Sequence, residues 1–185
     1  MSNAREALLE RAVDWFTEQG VGDTSLRTIA EGLGTSHRML HYHFGSREGL
    51  LTAVVTATWG RQHWALAELL ESPIDPYTAA YALWDRMADQ AARLGPLFFE
   101  VAAAAMQGKP WAAPLGQWIT EWTTVLEALF ARAGHSPDQA MLSARMTLAM
   151  ARGLLFELAL AKGEGRAAAD TAIHTFLEST RAPGH

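Results

Sequence analysis

Between Ser25 and Arg47 the chain sets three arginines, Arg27, Arg38 and Arg47, against a single acid, Glu31, and adds three of its seven histidines, His37, His41 and His43. Hydroxyls interleave them at Thr28, Thr35, Ser36 and Tyr42. A guanidinium can fork onto a guanine edge, and hydroxyls, imidazoles and a phenol can donate to phosphates or bases, so the chemistry on offer is binding. His37 and His41 also have the i, i+4 spacing that could hold a metal, but no third ligand is evident and no metal is expected. Catalysis finds no support: there is no Glu-x-x-His di-iron pattern, no His-Glu-x-x-His zinc motif, no glycine-rich phosphate loop and no cysteine. A Ser-His-Asp set would meet only in space, so a helical ligand carrier or enzyme without a DNA role is the competing reading.

Two short crossed helices would present these groups outward. Ser25 or Thr24 can cap the first, with Leu26, Ile29, Ala30 and Leu33 inward, and Ser36 can cap the second, which offers only Leu40 and Phe44 to a core. Gly34 between them suits a tight turn. A helix that short buries little and is hard to explain without an outside partner. Ahead of the pair, Leu8, Leu9, Ala12, Val13 and Phe16 mark one face of a first helix, and behind it Leu50, Leu51, Val54, Val55, Thr58 and Trp59 mark a long fourth. Net charge is -5, so the basic face is local and binding is expected at a restricted site rather than to bulk DNA.

The run Thr24-Ser25-Leu26-Arg27-Thr28-Ile29-Ala30-Glu31-Gly32-Leu33-Gly34-Thr35-Ser36, followed by Leu40-His41-Tyr42-His43-Phe44-Gly45-Ser46-Arg47-Glu48-Gly49-Leu50-Leu51, resembles the helix-turn-helix DNA-binding domain of tetracycline-repressor (TetR) family regulators. The resemblance implies a homodimer that places its third helix in a major-groove half-site and a small-molecule pocket that controls the spacing of the two reading heads. By position, Arg27 and Thr28 would touch a base edge or phosphate, and Ser36 begins the reading helix. His37, Arg38 and Met39 would face bases, and Tyr42 and His43 would reach phosphates. Arg47 would anchor another phosphate at the start of the fourth helix. The family most often has tyrosine where this chain has His41 and lysine where it has Arg47. His41 makes that phosphate contact pH dependent.

Beyond Ser72-Pro73 tryptophan, methionine and alanine dominate, and the expected architecture is all-α with about nine helices: a helix-turn-helix domain over 1–46 and an effector-binding and dimerisation domain over 47–185. Pro76 and Pro96 read as first-turn prolines of the fifth and sixth helices. Six of the seven tryptophans fall between Trp59 and Trp122, more than a small helical core needs. Trp59, His63, Trp84, Met87, Phe99, Trp118 and Trp122 are therefore candidate walls for an apolar or aromatic effector. Arg152 is either the ion-pair partner of an acid such as Asp85, Asp89, Glu100 or Glu121, or a contact to an anionic group of the effector. Leu148, Ala151, Leu155, Ile173, Phe176 and Leu177 are the expected dimer interface, on an eighth helix apolar nearly all round and a ninth beside it.

Without cysteine, and with Met146 to Ala161 interrupted by Arg152 and Glu157, the expected home is the cytoplasm, with no membrane span and no cofactor. The functional expectation is a sequence-specific transcription regulator, a repressor released from a palindromic double-stranded operator by its effector, with the fourth helix as the lever.

Overall fold

The computed structural model describes residues 2–71 and 74–181, with side chains except at 2, 3 and 61–71. Among the described residues there are nine α-helices and no strand. They are α1 (Ser2–Gln19), α2 (Leu26–Gly32), α3 (His37–Phe44), α4 (Arg47–Glu71), α5 (Pro76–Asp89), α6 (Ala91–Met106), α7 (Pro114–Arg132), α8 (Pro137–Leu160) and α9 (Arg166–Ser179), with a 3₁₀ turn at Pro110–Ala112 before α7. None of these helices is long and apolar enough to cross a membrane.

Local chemistry accounts for most boundaries. Ser25 and Ser36 accept the amides of Thr28 and Met39, each at 3.2 Å, and Asp75 accepts that of Thr78 at 2.9 Å with Pro76 behind it. Such caps satisfy amides that a helix start leaves without an intrahelical acceptor. Ser136 and Gln139 form a reciprocal capping box at the head of α8.

Pro96 departs from the expectation, since it lies inside α6 rather than in its first turn. The helix already starts at Ala91, because Gln90 ends α5 and its carbonyl accepts the amides of Arg93 and Leu94. Gly95-Pro96 reads as a breaker in sequence, yet the helix runs through it.

The chain forms two compact units, Met1–Gln62 with Pro96–Trp118, and His63–Gly95 with Ile119–His185. In the first, Phe16, Ile29, Leu40, Leu50, Leu51, Val54, Val55 and Leu97 are fully buried, so α1 to α3, the start of α4 and the later part of α6 share one core. In the second, Leu83, Trp84, Leu126, Leu129, Leu158, Ile173 and Leu177 draw α5, α7, α8 and α9 together.

Candidate nucleic-acid interface

The geometry of α2 and α3 follows from their apolar positions. Ile29, Ala30 and Leu33 are buried against Leu40, the only residue of α3 that is fully enclosed. Phe44, expected in the core, is half-buried and carries the Arg5 guanidinium over its ring at 5.2 Å, a cation that the sequence reading passed over. Gly34 turns the chain with φ +62°, where a side chain would be strained.

The rest of α3 faces out. His37, Arg38, Met39, His41 and Tyr42 are exposed, Tyr42 by 67%, and His43 is half-buried with its ring edge on Tyr42 at 5.0 Å. One buried residue in eight leaves the display of this surface as the purpose of the helix. Thr28 is exposed and shares a 2.9 Å hydrogen bond with Ser25, while Arg27 is exposed and pairs with Glu31 at 3.3 Å. The rings of His37 and His41 lie 6.4 Å apart, and among the described residues no group of three His, Asp or Glu side chains is placed to hold a metal.

Arg47 has work inside the chain. Its Nε–H donates to the Thr24 carbonyl at 2.7 Å, and Nη2 donates to the carbonyls of Val21, at 3.2 Å, and Gly22. From the other side, the Glu100 carboxylate of α6 accepts the amides of Val21 and Gly22, each at 2.7 Å. The loop leading into α2 is thus held through its backbone by two oppositely charged side chains. No sequence signal links Glu100 to residues 79 and 78 positions away.

The expected pocket residues fall in both units. Trp59, Phe99 and Trp118 lie in the first unit, where Trp59 packs on Phe98 and Trp118 with ring centroids 6.0 and 5.6 Å away, and Phe99 meets Phe98 at 5.1 Å. Trp84, Met87 and Trp122 line a cavity of about 30 Å³ in the second unit, closed by Leu83, Leu126, Leu148, Ala151, Ile173 and Leu177. That volume suits a water, not an aromatic molecule. Thr147 lines it as well, and its hydroxyl is buried without a hydrogen-bond partner among the described residues. The side chain of His63 lies outside the described residues.

Arg152 is half-buried, and its Nε–H donates to the Leu148 carbonyl at 3.1 Å. Of the acids offered to it, Glu100 holds the loop amides, and Asp85 and Asp89 are taken by Arg166. Arg166 also reaches Asp170 at 2.6 Å, and the same carboxylate oxygen accepts the Trp84 indole N–H at 2.6 Å. Burial pushes the Asp170 carboxyl up, but the bonds from Arg166 and Trp84 outweigh it and hold the group below its ordinary value of 3.8.

The dimer expectation needs a correction. Leu148, Ala151, Ile173 and Leu177 are at most 8% exposed and belong to the chain's own core, so they have no surface to offer a second copy. Leu155 and Phe176 are half-buried. The large apolar side chains that α8 turns outward are Met141, Leu142, Met146, Phe156 and Leu160, the last 70% exposed. Because α8 is apolar nearly all round, its sequence did not say which side meets α9.

Comparison with known proteins agrees with this geometry. The family model "Bacterial regulatory proteins, tetR family" matches residues 8–54, the segment that holds α2 and α3. The HTH-type transcriptional repressor Rv3405c of Mycobacterium tuberculosis is 31% identical over 153 residues, spanning 81% of this chain and 69% of that protein. Among solved structures, a transcriptional regulator from Pseudomonas aeruginosa PAO1 superposes with a TM-score of 0.79 at 15% identity, covering 97% of this chain and 91% of its own. A TetR transcriptional regulator from Legionella pneumophila does so at 0.75 and 16%, covering 98% and 99%. These two share the fold. Matched by that family model over its helix-turn-helix segment and by a 31% identical regulator over 81% of its length, the chain belongs to the TetR family of DNA-binding transcriptional regulators.

Proposed function

We propose that this regulator is a homodimeric repressor that reads a pseudo-palindromic operator with α3 of each subunit and leaves it when a small effector binds the second unit. The observation that carries the reading is the outward face of α3, where His37, Arg38, Met39, His41 and Tyr42 are exposed and Leu40 alone is enclosed. Half-sites then lie about one helical turn apart. Ser36 orients the helix, Arg38 forks onto a guanine edge, and Thr28, Arg27, Tyr42, His41 and His43 contact phosphates or sugars. The repressor sign is supported by the relative named above.

The subunits meet through the outer faces of α8 and α9, and the protein acts in the cytoplasm on double-stranded DNA. The effector is small and largely apolar or aromatic. Because the cavity beside Trp84, Met87 and Trp122 is about 30 Å³, effector binding selects a more open arrangement of α5, α7, α8 and α9. Regulation then rests on differential affinity for the two arrangements.

Selection from a random DNA pool tests this. Wild type enriches an inverted repeat. Arg38→Ala weakens binding to that DNA by roughly 10- to 100-fold and relaxes selection at one symmetric pair of positions, as expected for a lost bidentate base contact. Failure to enrich any sequence, or an Arg38→Ala protein with unaltered selection, overturns the reading.

A further inference from the structure

We propose that Glu100 is the positioning residue through which α6 sets the reading head, by gripping the backbone of the α1–α2 loop. The proposal rests on the reading that α2 and α3 bind DNA.

Helix α6 is one continuous element that belongs to both units, its residues up to Gly95 to the second and those from Pro96 to the first. Its first part is seated closely on α8: a Cβ added at Gly95 would stand 2.6 Å from the Cβ of Ala159. Pro96 follows at once, and having no N–H it leaves the Ala92 carbonyl without its intrahelical donor. Such a position is where a helix bends when its ends are pulled differently.

One turn later Glu100 spends one oxygen on each of two consecutive amides, Val21 and Gly22. Arg47 holds the carbonyls of Val21, Gly22 and Thr24. The donors of the loop therefore point to α6 and its acceptors to α4, and a chain of this kind polarises along its length. Ser25, the cap of α2, is the next residue after Thr24. Displacement of α6 beyond Pro96 moves Val21 and Gly22, and with them the start of α2 that carries Arg27 and Thr28. Helix α4 is then one of two handles on the reading head.

The conservative probe is Glu100→Gln, which keeps the shape but leaves one acceptor oxygen for two amides; Glu100→Ala removes both. Hydrogen exchange at Val21 and Gly22 in the full chain is measured together with affinity for the DNA selected above and for an unrelated duplex. Electrostatics alone makes loss of an acid strengthen DNA binding. Positioning makes the opposite prediction for the selected DNA only: affinity falls about tenfold in Glu100→Ala and less in Glu100→Gln, while the unrelated duplex binds no more weakly than before. Both loop amides exchange at least about tenfold faster in Glu100→Ala. Wild-type exchange at these amides, or faster exchange with selected-DNA affinity unchanged or raised, overturns the proposal. If Arg38→Ala also fails to weaken selected-DNA binding, it is the reading of α3 that has failed, and the Glu100 proposal falls with it. Should Glu100→Ala not fold, Glu100→Gln decides by the same two measurements.

Discussion

Replacing Arg47 separates two roles for one cation. As a loop staple it makes two part-buried hydrogen bonds, to Thr24 and Val21, and an exposed third to Gly22. A hydrogen bond to a charged group contributes about 1.5–3 kcal/mol when sheltered, so with the exposed bond discounted Arg47→Ala should cost roughly 2–3 kcal/mol. Arg47→Lys keeps the charge but not the fork, and a compact ammonium cannot span carbonyls that Nε and Nη2 reach separately, so about half of that loss should remain. As a phosphate anchor Arg47 predicts otherwise: lysine would serve nearly as well, and alanine would lower the dependence of log K on log salt by about 0.9. Urea unfolding at fixed protein concentration and salt-dependent binding to the selected DNA measure both. The staple predicts that Arg47→Lys is destabilised and binds more weakly with an unchanged salt slope. An Arg47→Lys protein as stable and as tight as wild type, beside an Arg47→Ala protein whose slope falls by one contact, would refute it.

Arg166→Ala should cost about 2–3 kcal/mol at pH 7, mostly through Asp170, since both side chains of that pair are 29% exposed while Asp85 and Asp89 are 56% and 70% exposed and add little. The folded Asp170 carboxyl lies below its ordinary 3.8, so this stabilisation is full above that value and is lost as pH falls through the lower folded one. The gap between wild type and variant in urea titrations should therefore close below about pH 4, and a gap constant from pH 7 to 3 would exclude the ion pair as its source. Thr147→Val should be neutral or stabilise the fold by up to about 2 kcal/mol, because it removes a buried hydroxyl that has no partner; a loss of 1 kcal/mol or more would mean that the hydroxyl is satisfied.

Much of the reading head was legible in the residues. Serine caps, the turn at Gly34, the apolar set Ile29, Ala30, Leu33 and Leu40, and the outward groups of α3 all act over three or four residues, so spacing alone specifies them. The class followed from the same short-range periodicity, since every helix carries an apolar face or a cap of its own. Partners far apart in the chain were not legible. Glu100 meets the amides of Val21 and Gly22, and Arg166 rather than Arg152 takes Asp85 and Asp89, because many acids and cations could pair and only packing brings particular ones within reach. The same holds for α8, whose apolar surface runs round most of the helix: tertiary structure decided that Leu148 and Ala151 serve the chain's own core while Met146 and Leu160 face out. The sequence by itself determined which polar groups stand on the outer face of α3, because spacing over one or two turns sets that face, and the fold decided that Glu100 and Arg47 hold the loop before α2, because only packing brings residues so far apart in the chain together.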